Sequence, residues 1–134
     1  VGPVEGGGND WVDQSLTAKE LAGRTGASEM LIHDLDSFGL IEGEQIGGVV
    51  YYGPEASEVA RIAVAFSRYG VEPRHLRLYL TAVQREAAFL DQIVVPLLKQ
   101  RNPEARQRAS RAIQEMTDLG QSLRAILLAR ELGV

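Results

Sequence analysis

The sequence predicts a mainly α domain, in which a winged helix-turn-helix is followed by a long antiparallel helical hairpin. Three observations predict it. Two short apolar segments between Leu16 and Gly39 each carry a capping residue in front and a glycine behind. A run rich in glycine, β-branched and aromatic residues follows them. The second half then holds two long apolar stripes with heptad spacing. Residues 1–15 read as a flexible linker or an expression remnant, residues 16–72 as the winged unit and residues 73–134 as the hairpin. The last two are expected to form one compact domain.

Each element has its own justification. Thr17 can cap a helix in which Leu21 and Ala22 face inward, and Gly26 stops it. Ser28 caps a second helix with Leu31, Leu35 and Phe38 on one stripe, ended by Gly39. Two such helices joined by a three- or four-residue turn make a helix-turn-helix. Leu40–Tyr52 contains Gly43, Gly47 and Gly48 before Val49, Val50, Tyr51 and Tyr52, which reads as a two-stranded wing. Pro54 opens a third helix, with Glu55 and Glu58 near its positive end, a stripe of Val59, Ile62, Ala63 and Phe66, and Arg68 and Gly70 closing it.

Pro73 opens the fourth helix, expected to run to about Arg101. Leu76, Leu80, Val83, Ala87, Leu90, Val94 and Leu97 follow one another at spacings of 4, 3, 4, 3, 4 and 3. Pro96 inside this stripe predicts a kink. Asn102-Pro103-Glu104 is a fresh helix start, and the last helix is expected to reach about Leu132. Ala105, Ala109, Ala112, Met116, Leu119, Leu123 and Ile126 repeat the same spacing. Two such seams joined by about two residues fold back as an antiparallel hairpin. A second stripe, Phe89, Ile93, Ile113, Gly120 and Leu127, lies off the seam. It can pack on the winged unit or form a homodimer interface, since large exposed apolar stripes mark partner sites.

The bulk properties narrow the function. The 134 residues are 45% hydrophobic with a net charge of −4, which fits a globular domain and not a general phosphate binder. The absence of cysteine removes disulfides, thiolate catalysis and thiolate metal sites, and fits the cytoplasm. No apolar run is long enough to span a membrane. The chain starts at Val1 without a methionine, so it reads as an excised piece whose missing N-terminal part matters to function.

The order of motifs carries a resemblance. ELAGRTGAS, a helix ending in GLI, a glycine-containing wing ending in YY, and a Pro/Glu-started helix closing on YGVEPRHLRLYL together resemble the DNA-binding domain of MerR-type transcription regulators. That family shows ELA-RTGVS, a GLL after the recognition helix, a GYRRY wing and a GFSLEEIRELL-like closing helix. The YGVEPRHLR segment and the two helices after it are closer still to the C-terminal domain of the actinobacterial FtsR-like branch, over roughly residues 16–130. The surface chemistry departs from the family. From Gly26 through Ala60 there is no Lys or Arg, while Glu29, Asp34, Asp36, Glu42, Glu44, Glu55 and Glu58 are all carboxylates. Val49 and Val50 stand where the family's wing arginines stand, and Glu29, Met30, Ile32, His33 and Asp36 occupy the recognition helix. Carboxylates repel a polyanion, and each phosphate contact needs a cation. The unit therefore reads as a degenerate MerR-like winged helix-turn-helix, reused for packing or partner contact.

Few groups could carry chemistry. His33 and His75 are the only histidines, and neither has a partner set with metal-ligand spacing. No phosphate loop, nucleophile elbow or carboxylate pair is present, so neither an enzyme nor a cofactor is expected. Arg74, His75 and Arg77 form one basic patch, which could meet phosphate, an acidic partner or the carboxylates of the winged unit. Lys99, Arg101, Arg106, Arg108 and Arg111 form another at the hairpin tip, either a solvated helix end or a contact for DNA or RNA polymerase. Tyr51, Tyr52, Phe66 and Tyr69, with Trp11, could line an effector pocket. The resemblance implies a regulatory and dimerisation domain whose DNA-binding head lies N-terminal to it, reaching promoter DNA through the full-length protein. The alternative is a DNA-binding winged-helix domain in its own right, using the patches at 74–77 and 99–111.

Overall fold

The computed structural model describes residues 15–134. The expected linker, with Trp11, lies outside the described residues apart from Ser15. Helices α1 (Ala18–Thr25) and α2 (Glu29–Ser37) come first, then strands β1 (Gly43–Ile46) and β2 (Val49–Tyr52), and then helices α3 (Pro54–Ser67), α4 (Pro73–Leu98) and α5 (Pro103–Leu132). The protein is mainly helical with one small two-stranded sheet, as the sequence predicts. It divides into two compact units, the first ending at Thr81 and the second covering Ala82–Val134.

The first unit is built on local signals. Thr17 caps α1 in a reciprocal box: its hydroxyl accepts from the Glu20 N–H at 3.2 Å, and its own N–H donates to the Glu20 carboxylate at 3.0 Å. The Thr17 N–H, with the Thr17 hydroxyl also donating to the carboxylate, holds the Glu20 carboxyl below its usual pKa. Gly26 ends α1 in the left-handed region at φ 78°, and Ser28 then caps α2 through the Leu31 N–H at 3.0 Å. The strands pair antiparallel in the register Gly43↔Tyr52, Glu44↔Tyr51, Gln45↔Val50 and Ile46↔Val49. Gly47 and Gly48, at φ 60° and 82°, form the two-residue turn that such a ribbon requires. Leu16 exchanges two backbone bonds with Tyr52, which ties the residue just before the α1 cap to the free edge of β2.

The core of this unit gathers Leu21 and Ala22 from α1, Ile32 and Leu35 from α2, Tyr52 from β2, Ala56, Ala60 and Ala63 from α3, and Leu76 from the start of α4. The alanines let α3 lie close against α1. Arg77 donates to the Phe38 carbonyl at 3.0 Å and so satisfies an orphan acceptor at the end of α2.

The second unit is the rest of α4 with α5. Asn102 caps α5, accepting from the Ala105 N–H at 2.7 Å, with Pro103 in the first turn. Gly120 on α5 faces the Glu86 carboxylate on α4, as an antiparallel hairpin requires. Helix α3 stops at Ser67 with Arg68 as its C-cap, as expected, but α4 stops at Leu98, and the hairpin connection runs over Lys99–Asn102, longer than the two residues expected. Arg101 adopts φ 53°, which is incompatible with continuing α4. Ile32, expected on the recognition surface, is fully buried, because it shares the inner stripe of α2 with Leu35.

Candidate functional site

The outer surface of the first unit is acidic and apolar. On α2, Met30 is 73% exposed and His33 is exposed, with Glu29 beside them. A cleft of about 450 Å³ lies between the ribbon and the start of α3, lined by Glu42, Glu44, Glu55 and Tyr51 among others. Asp36 serves the core, because its carboxylate accepts a bond from the buried Tyr52 hydroxyl at 2.5 Å. Burial first, and then that bond, push the Tyr52 phenol up to about 12. Helix α2 and the ribbon thus carry no Lys or Arg to present to a phosphate.

The four aromatics considered for an effector pocket are not brought together. Tyr51 and Tyr52 are consecutive on a strand, so their side chains point to opposite faces. Tyr52 is core and Tyr51 lines the acidic cleft. Phe66 stacks at a tilt on Tyr79, 5.9 Å between ring centres, and Tyr69 is 85% exposed in the turn after α3. Strand alternation, already present in the sequence, separates the tyrosine pair.

The patch at 74–77 is largely used up locally. Arg74 pairs with Glu72 at 2.9 Å, and Arg77 is bound to the end of α2. His75 accepts the Glu72 N–H on Nδ1 at 2.9 Å, which uses that nitrogen's lone pair as a helix cap. Among the described residues no group of His, Asp and Glu could hold a metal ion.

The hairpin of the second unit closes at one end only. Val94, Ala105 and Ala109 are buried near the connection, and Leu90, Leu97 and Met116 are half-buried. In the first unit Leu76 of the same stripe is buried and Leu80 half-buried. Away from the connection the stripe is open: Val83, Leu119, Leu123 and Ile126 are all exposed, Ile126 by 66%. On the second stripe Phe89, Ile93 and Ile113 are exposed, whereas Leu127 and Gly120 are half-buried, Gly120 against α4. Two helices have too little facing surface to cover two stripes each, and the small alanines bring them close near the turn.

At the hairpin tip Lys99, Arg101, Arg106, Arg108 and Arg111 are all exposed. Arg108 donates to the Gln100 side chain at 2.6 Å. Among the described residues, none of the five forms an ion pair. A depression of about 490 Å³ beside them is lined by Arg106, Gln107, Ser110 and Arg111.

Known proteins resemble this chain along most of its length. A family model described as Rv1828-like, C-terminal domain matches residues 14–134. Two relatives, both named uncharacterised HTH-type transcriptional regulators, come from Mycobacterium tuberculosis (Rv1828) and Mycobacterium bovis (Mb1859). Each is 31% identical over 134 residues, covering 96% of this chain and 53% of the relative. The chain therefore spans about half the length of the curated relatives it matches.

Proposed function

The chain belongs to the Rv1828-like, C-terminal domain family, and from that premise we propose that it is the regulatory, dimer-forming C-terminal domain of a MerR-type transcription regulator of the FtsR-like branch. The DNA-reading head then precedes it, in the half of the relatives that this chain does not span. The regulator works in the cytoplasm and without catalysis; no helix among the described residues is long and apolar enough to cross a membrane. The observation that carries the reading is the open apolar stripe on the hairpin, Val83 with Leu119, Leu123 and Ile126. An apolar surface of this kind marks a partner site, and a second copy of the same stripe is self-complementary about a two-fold axis. Two heads joined through paired hairpins acquire a fixed separation, and half-site spacing then selects the operator.

Sedimentation equilibrium tests this directly. The 134-residue chain is expected to form dimers at micromolar concentration, and Leu123→Glu to form monomers that keep the helical circular dichroism of the folded chain. A wild-type chain that stays monomeric at high micromolar concentration would refute the dimer. The acidic surface of α2 and the ribbon supports placing operator reading elsewhere, and the unpaired basic tip favours a second, narrower role in contacting DNA.

A further inference from the structure

We infer that the hairpin tip is a clamp for the phosphate backbone of duplex DNA, formed by Lys99 and Arg101 from the connection and Arg106, Arg108 and Arg111 from the first turns of α5. The inference rests on the regulator reading above, and adds to it a direct DNA contact by a domain whose winged unit has none to offer.

Three observations point the same way. The five cations fall within one short stretch, all exposed and none neutralised by a carboxylate, although the chain as a whole carries a net charge of −4. Four of the five are arginines, whose planar forks match phosphate oxygens. An open depression beside them is lined by Arg106, Gln107, Ser110 and Arg111. Arginine, glutamine and serine side chains are among those that contact the nucleic-acid backbone.

The connection adds an independent sign. Arg101 sits at φ 53°, in the left-handed region, and it is the one non-glycine residue among those described to do so. Glycine fits that conformation without strain and arginine does not. A side chain kept at a strained position, with no carboxylate paired to it, fits a residue retained for its guanidinium. Sequence-independent contacts of this type would orient the domain beside an operator that the N-terminal head reads.

The test is fluorescence anisotropy of the 134-residue chain with a labelled duplex of unrelated sequence, titrated at several salt concentrations. Log affinity is expected to fall linearly with log salt, at roughly 0.9 per phosphate engaged. The double variant Arg106→Ala/Arg111→Ala should lower that slope by about 2 and weaken binding by roughly tenfold at low salt. Arg101→Gly should weaken binding while raising the melting temperature, a combination that a merely structural arginine would not produce. Absent binding, or binding indifferent to the double variant, would overturn the inference. So would polyglutamate competing as well as duplex at equal charge, which would assign the tip to an acidic protein segment. Sedimentation of the same samples keeps the two readings apart. A dimer that ignores duplex removes the clamp and leaves the regulatory dimer, and a monomer that binds duplex does the reverse.

Discussion

The two units spend their apolar residues in opposite ways. In the first, Leu21, Ile32 and Leu35 are wholly buried, and short capped helices close around them. In the second, the deeply buried residues are Val94, Ala105 and Ala109, and larger side chains such as Leu119, Leu123 and Ile126 face solvent. Their charges are opposed as well. From Gly26 through Ala60 the first unit has no cation, whereas the hairpin tip carries five with no carboxylate attached. The first unit joins a closed core to an acidic surface, while the hairpin joins an open apolar stripe to a basic end. Shape and surface chemistry are separable, and function follows the surface.

The comparison breaks most readily at the first unit's core. Leu35→Ala removes a side chain with no exposed surface between α1, α2 and the ribbon, and is expected to destabilise by about 3 kcal/mol in urea denaturation. A loss below about 1 kcal/mol would mean that this unit is no better packed than the hairpin.

The Tyr52–Asp36 bond sharpens it by pH. The folded state holds the phenol protonated up to about 12, while the unfolded chain releases the proton near pH 10. Between those values the unfolded state has lost a proton that the folded state keeps, so stability falls as pH rises. The contribution is complete below pH 10, and its loss by pH 12 is expected to reach about 2 kcal/mol. Tyr52→Phe should lose roughly 1.5 kcal/mol at neutral pH, since it removes a bond to a charged group. It should also flatten the alkaline decline, as read from denaturation midpoints across that range.

Much of this was legible in the sequence, for reasons that differ by element. Thr17, Ser28 and Asn102 announce helix starts because capping is a local matter of one side chain and one N–H. Gly47-Gly48 announces the ribbon turn in the same way. The heptad seam was legible as a spacing, but spacing says nothing of which seam positions stay covered, and here Val83, Leu119, Leu123 and Ile126 are exposed. Ile32 was misplaced because α2 is short enough for two neighbouring stripes to compete, and the packing of α1 decided between them. The grouping of Tyr51 with Tyr52 ignored the alternation of a strand. The left-handed Arg101 had no signal at all, since no local rule places an arginine there.

The caps offer a matched pair, one in each unit. Thr17→Ala and Asn102→Ala each remove one hydroxyl or amide bond to an α-helix N-terminus and should each lose about 1 kcal/mol. Hydrogen exchange should locate the two losses differently. Removal of the Thr17 cap is expected to speed exchange across the cooperative first unit, and removal of the Asn102 cap only over the first turns of α5. Equal spread in both cases would show that the hairpin shares the cooperativity of the first unit.

The smallest effect is the most telling. Leu123→Ala truncates the same side chain as Leu35→Ala, but at a position already 56% exposed. In the monomer it should change stability by no more than about 0.5 kcal/mol, because little apolar area is returned to water. At concentrations where copies associate, the same truncation should lower the melting temperature, and the difference should grow with protein concentration as mass action requires. The two leucines then report on two kinds of burial: one completed within the chain, and one completed only by a second copy. An effect of Leu123→Ala that is large and independent of concentration would mean that this part of the hairpin closes within a single chain.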